Sequence, residues 1–158
     1  MAQIMQNMSA AIKNVLESTT INSQAIFADV EEYPTTDFTG VPAATIVPSD
    51  NTSDYATSTQ NMRVYAFFVD IYFPIESVGG GYANAFTTMR QLVDIALDAF
   101  DNSNDLNLAN KYGSSYDTIC DFLRPVPAAW AMVETAAGDM LTARITLQCA
   151  KTVDTDNG

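Results

Sequence analysis

The chain has 158 residues, 47% of them hydrophobic and only 16% charged, a composition that fits one domain of ordinary core size. Nineteen acidic residues against seven basic ones give a net charge of −12 and a pI near 4.1, which argues against a binder that neutralises nucleic-acid phosphates. There is no histidine, so the commonest general base is missing and no Ser-His or Cys-His pair can be built.

Ile4, Met8, Ala11, Ile12, Val15 and Leu16 recur at helical spacing, so residues 2–18 read as an amphipathic helix that ends at Thr19, Thr20 and Asn22. Lys13 is the only basic residue before position 60, and the early apolar residues are interrupted by Gln3, Gln6, Asn7 and Ser9, so no signal peptide is visible. No apolar run approaches the ~18 residues of a membrane span, and a soluble chain is expected. A first strand is expected over residues 25–30, followed by a loop through Pro34 and Gly40. A second strand over 41–47 lies between Pro42 and Pro48, which confine it to a short length or an edge. The polar stretch 49–60 lacks periodicity and is expected to be a mobile loop.

Residues 63–73, Arg-Val-Tyr-Ala-Phe-Phe-Val-Asp-Ile-Tyr-Phe, form the most informative segment. Successive side chains of a strand point to opposite faces, so Tyr65, Phe67, Val69, Ile71 and Phe73 share one side while Val64, Ala66, Phe68, Asp70 and Tyr72 share the other. Both faces are largely apolar, whereas a half-solvated strand alternates. This strand must be covered on both sides, by its own helices or by a neighbouring subunit.

After Pro74, Gly79 to Gly81 read as a hinge into a second helix over 82–100, with Phe86, Met89, Val93, Ala96, Leu97 and Phe100 on one face and Asn84, Thr87, Gln91, Asp94, Asp98 and Asp101 on the other. Residues 102–115 are a polar connection, and residues 118–134 are extended, with a bulge or bend at Pro125 and Pro127. A turn at 136–139 leads to a last strand that alternates cleanly, Leu141, Ala143, Ile145, Leu147 and Cys149 inward and Thr142, Arg144, Thr146 and Gln148 outward. Residues 152–158 are expected to fray. The reading is a single α+β domain over 1–158 in two layers, a mixed or antiparallel sheet of about five strands with two main helices on one face, in the order α-β-β-β-α-β-β. Two helices cover one face, and the open remainder marks an interaction site.

The motifs that carry chemistry are weak. Asp94 and Asp98 stand on the polar stripe of a helix and read as a solvated face. Asp101, Ser103 and Asp105 start like a calcium loop, yet Leu106 stands where glycine is needed and Tyr112 where the bidentate glutamate is needed. The glycine triplet lacks the spacing of a phosphate-binding loop. Cys120 and Cys149, without CxxC spacing, read as buried reduced thiols. No catalytic, cofactor-binding or metal-binding residue is assigned, and no enzyme is expected. The aromatic strand lacks the basic neighbours of a base-stacking platform. Tyr65, Phe67, Phe68, Tyr72, Trp130, Arg124 and Arg144 are therefore the candidate subunit-interface residues, with Arg124 and Arg144 as candidates to pair with acidic residues across subunits.

In length, element order and texture the chain resembles the tail terminator proteins of long-tailed bacteriophages. The opening helix, the strand Pro42-Ala-Ala-Thr-Ile-Val-Pro48, the aromatic strand after a polar loop, the helix 82–100 and the closing hairpin carry the likeness, which spans nearly the whole chain. The resemblance implies a virion protein of the tail or neck, assembled in the host cytoplasm. It would form a homo-hexameric ring that caps the tail tube, joins it to the head-tail connector or neck protein, and lets DNA pass without sequence-specific binding. It also implies lumen or partner-facing carboxylates, for which Asp50, Asp54, Asp94, Asp98 and Asp101 are the candidates. Alternative readings are another neck, head-completion or tube-associated protein, a small oligomeric ligand-binding module, or an enzyme that works with carboxylates alone.

Overall fold

The helical spacing near the N-terminus becomes helix α1, Ile4–Ser18, which buries Met8, Ala11, Ile12, Val15 and Leu16. Its end is closed by the Thr19 N–H on the Leu16 carbonyl (3.2 Å) and the Thr19 hydroxyl on the Val15 carbonyl (2.7 Å). The computed structural model describes residues 4–49, 52–55, 60–75, 81–103, 106, 119–135 and 138–154.

Residues 25–30 do not form the one strand expected there. Asn22 and Ser23 adopt φ of 52° and 66°, the geometry of a two-residue hairpin turn. They join β1 (Thr20–Ile21) to β2 (Gln24–Ala25) in a small separate antiparallel sheet. Strand β3 (Asp29–Glu31) then runs parallel to β4 (Ala43–Pro48), which makes the main sheet mixed. The connection between them folds back tightly, since a Cβ on Gly40 would come within 2.8 Å of the Ala28 Cβ. β4 is short, as its prolines require, but it is not an edge. Pro42 precedes the strand and Pro48 is its last residue, so neither removes a donor from the middle of the ladder.

The long aromatic strand is β6, Gln60–Pro74, and it starts earlier than the apolar pattern does. Its first residues pair with β5, Thr52–Tyr55, so part of the segment expected to be a mobile loop is a strand. Helix α2 spans Gly81–Asp101 and buries Ala85, Met89, Leu92, Val93, Ala96 and Phe100. Strands β7 (Phe122–Thr135) and β8 (Gly138–Asp154) close the chain as an antiparallel hairpin. The register of β7 slips between Pro127 and Trp130, which is the bulge that the prolines imply. Residues 152–154, expected to fray, remain in β8 opposite Gln60 to Met62. The glycine hinge at 79–80, most of the 102–115 connection, Ala136, Ala137 and the tail 155–158 lie outside the described residues.

The six-stranded sheet has the order β3-β4-β6-β8-β7, with β5 extending the β4 side of β6. Both helices pack on one face of it, against Ala44, Ile46, Tyr65, Phe67, Val69, Ile71, Ala143, Ile145, Leu147 and Cys149. This is the α+β two-layer arrangement, with one strand more than the five expected. Cys120 and Cys149 are buried and are not joined in a disulfide. None of the helices in the described residues is long and apolar enough to cross a membrane.

Candidate functional site

The face of the sheet turned away from the helices is built by register. β6 lies between β4 and β8, so Thr45, Asp70 and Arg144 form one row across three strands. Val47, Phe68 and Thr146 form the row beside it, and Ala43, Tyr72 and Thr142 the row on the other side. Phe68, Asp70, Tyr72, Thr142, Arg144 and Thr146 are all half-buried within the single chain.

Charge is concentrated in the middle row. Arg144 donates from Nε to Asp70 Oδ1 at 2.8 Å and from Nη2 to Oδ2 at 3.0 Å, a bidentate pair. The same guanidinium lies 3.9 Å above the centre of the Phe68 ring. Asp70 is the more enclosed partner, with 13% of its side chain exposed against 41% for Arg144. Hydrogen bonding to Asp70 raises the Arg144 pKa further above its ordinary value. Arg144 therefore keeps its charge, and both of its bonds to Asp70 lie within the chain.

Tyr72 lies beside this pair. Burial raises its phenol pKa above the ordinary value, and the charge of Asp70 adds to the rise, while hydrogen bonds with Thr45 and Thr142 oppose it. Phe38, from the β3–β4 connection, packs on Tyr72 with ring centres 5.0 Å apart, so this loop roofs one end of the face. Towards β7 the face opens into a depression of about 320 Å³ lined by Asp70, Tyr72, Ala129, Ala131, Val133, Thr142 and Arg144. The charged groups among these lining residues, Asp70 and Arg144, are already joined to each other. Among the described residues no three His, Cys, Asp or Glu side chains gather where they would hold a metal ion. The arrangement offers a half-covered apolar surface around one neutralised pair, which suits contact with another protein surface.

The expected interface residues divide between the two faces. Phe67 is fully enclosed and Tyr65 nearly so, both in the helix-side core of their own chain, so neither is available to a neighbour. Tyr65 Oη also accepts from Arg63 Nη1 at 3.2 Å. Phe68 and Tyr72 do lie on the open face. Arg144, expected to reach across subunits, is satisfied by Asp70 within the chain. Arg124 is exposed on β7 opposite Gln148. Trp130 lies on the helix side of β7 and stacks on Phe86 of α2, with ring centres 5.7 Å apart and planes at 16°.

Asp94, Asp98 and Asp101 are exposed on α2, in the other layer from the open face, so the structure does not bring them into the depression. Asp54 lies in β5, and Asp50 is outside the described residues. The Asp70–Arg144 pair was not foreseen from the sequence. Its signal is that each is the lone charge on one face of an otherwise uncharged stretch of central strand. No protein-family model matches the chain, and no curated protein matches it.

Proposed function

We propose that this chain is a structural assembly subunit of a long-tailed phage. It forms a ring, a hexamer by the resemblance, that closes the end of the tail tube and meets the head connector, with DNA passing through its centre. The observation that carries this reading is the second face of the sheet. Phe68, Tyr72, Val47, Ala131 and Val133 form an apolar surface over which no helix lies among the described residues, and the Asp70–Arg144 ion pair on it is neutralised internally. Such a surface is suited to burial against a neighbouring copy. The acidic balance of the chain, with Asp94, Asp98 and Asp101 exposed on α2, fits a lumen that repels DNA phosphates. A runner-up within the same class is another neck or tube-associated completion protein.

The depression beside Asp70 and Arg144 supports a second reading, a small-ligand module. Mass measurement and two-dimensional imaging with and without tail tube separate the two. A ring with a central hole, alone or at the tube end, is the expected result. A small species that ignores the tube at every concentration contradicts the ring reading.

A further inference from the structure

Strand β7 ends the sheet, and among the described residues nothing pairs with its outer edge. Main-chain groups of a strand point alternately to its two sides, so the phase of β7 decides what that edge offers. Three hydrogen bonds fix this phase. The Ala150 carbonyl accepts from the Asp121 N–H at 2.8 Å, and the Thr152 N–H donates to the Asp121 carboxylate at 2.8 Å. On the other side, the Asp139 carbonyl accepts from the Ile75 N–H at 3.0 Å. Even-numbered residues of β8 thus address β7, and odd-numbered ones address β6.

Pro125 and Pro127 stand opposite Leu147 and Ile145, both odd. Their missing N–H groups therefore face outward and leave the ladder intact, while they deny the first half of the edge to any incoming strand. Past the bulge, Trp130, Met132 and Glu134 stand opposite Ala143, Leu141 and Asp139, again odd. These three residues turn both N–H and C=O outward with no proline among them. The window carries exposed apolar side chains. Met132 is 62% exposed and Trp130 36%. Phe86, Trp130, Ala131, Met132 and Leu141 line a groove of about 220 Å³ beside the strand. Glu134 is the one charge in the window, on a chain of net charge −12.

We propose that two copies of this chain pair antiparallel through residues 130–134 of β7, about a two-fold axis at Met132. A row of outward N–H and C=O groups is matched only by another strand's row, and a second copy of this window matches it completely. Met132 faces Met132 of the second copy, and Trp130 faces Glu134 in both directions, so all three outward residues on each copy gain both hydrogen bonds. Ala131 faces Val133, no like charges meet, and Met132, the most exposed large apolar side chain among the described residues, is buried at the axis. Any other self-register leaves outward groups unpaired or reaches into the bulge. The pairing is a state of the free protein and goes beyond the ring reading, which uses the open face instead.

The test is the mass of the purified chain across a concentration series, together with single-cysteine variants under mild oxidation. The wild type is expected to reach twice its 17.1 kDa chain mass. Met132→Cys is expected to cross-link, because Cα atoms of a hydrogen-bonded pair lie about 5.5 Å apart, within disulfide reach. Glu134→Cys is expected not to, since four residues at roughly 3.4 Å each separate it from its counterpart. Met132→Pro removes the central outward donor without touching β8, and is expected to return the mass to that of one chain, with the melting temperature of the dilute, monomeric wild type. Met132→Lys gives the same loss of pairing through charge if the proline variant does not fold. A wild type that stays monomeric overturns the proposal, as does Glu134→Cys cross-linking as readily as Met132→Cys. A monomer that takes up an extended apolar peptide at β7 overturns it in favour of a foreign strand. A dimer that forms no ring at the tube end leaves it standing and removes the ring reading.

Discussion

The two faces of β6 and β8 use the same backbone and come to different ends. On the helix side, Phe67, Val69, Ile71, Ala143, Ile145 and Leu147 have no exposed surface. One residue along, Phe68, Asp70, Tyr72, Thr142, Arg144 and Thr146 are half-buried, roofed at one end by Phe38 and joined through a single ion pair. An apolar strand face is therefore not by itself a core face. It becomes one where the chain lays a helix on it, and among the described residues the other face has none. The edge strand repeats the contrast along its length. Its first half is protected by prolines and its second half offers three unblocked residues.

Truncation sharpens the difference between the faces most strongly. Ile145→Ala is expected to cost about 2–5 kcal/mol in chemical denaturation, because it empties a fully enclosed site. Its neighbour Thr146→Ala is expected to fall within about 0.5 kcal/mol. Equal losses at the two positions would mean that the open face is packed like the core.

The next effect is electrostatic. Arg144→Ala leaves the Asp70 carboxylate, 13% exposed, without its partner, and is expected to cost about 1–3 kcal/mol, towards the lower end because Arg144 is well exposed. Replacing both residues by Ala is expected to recover part of the loss, which a double-mutant cycle reads directly.

Alkaline titration gives a smaller effect. The folded-state pKa of Tyr72 is raised, first by burial, so its contribution to stability is complete below the unfolded value of about 10 and is lost as pH rises through the folded value. Tyrosinate absorbance is expected to show a late-titrating component that Tyr72→Phe reduces, while Tyr33, raised by the nearby charge of Glu31, keeps its share of it.

Acid titration gives the smallest. The Thr39 N–H, donating to Asp29 Oδ2 at 3.0 Å, is the main cause that lowers the Asp29 pKa. Its contribution is present above the unfolded value near ~3.9 and disappears as pH falls through the lower folded value. Carboxyl carbon shifts of Asp29 followed by NMR check the direction.

Much of this fold was legible because burial has a period. The alternation of residues 141–149 gave β8 its two faces, the spacing of Phe86, Met89, Val93, Ala96 and Phe100 gave α2, and Pro125 with Pro127 announced the bulge. β5 was not legible. Thr52 to Tyr55 carries no apolar alternation, and it is a strand because β6 continues back to Gln60 and offers it a ladder. β3 has three residues, too few for any pattern to register, and its parallel pairing depends on the whole β3–β4 connection. The separation of Phe67 from Phe68 needed the answer to which face the helices cover. The Asp70–Arg144 pair joins residues 74 apart in the chain, so it required the β6–β8 register.

Amide hydrogen exchange along β7, read residue by residue at low and high protein concentration, tests the central claim most directly. Ala131 and Val133, which face β8, are expected to exchange slowly at both concentrations. Trp130, Met132 and Glu134 are expected to exchange fast when dilute and slowly when concentrated, as a second copy covers the edge. Protection of Trp130 and Met132 that persists at the lowest concentration, or fast exchange there that concentration never slows, would contradict the account.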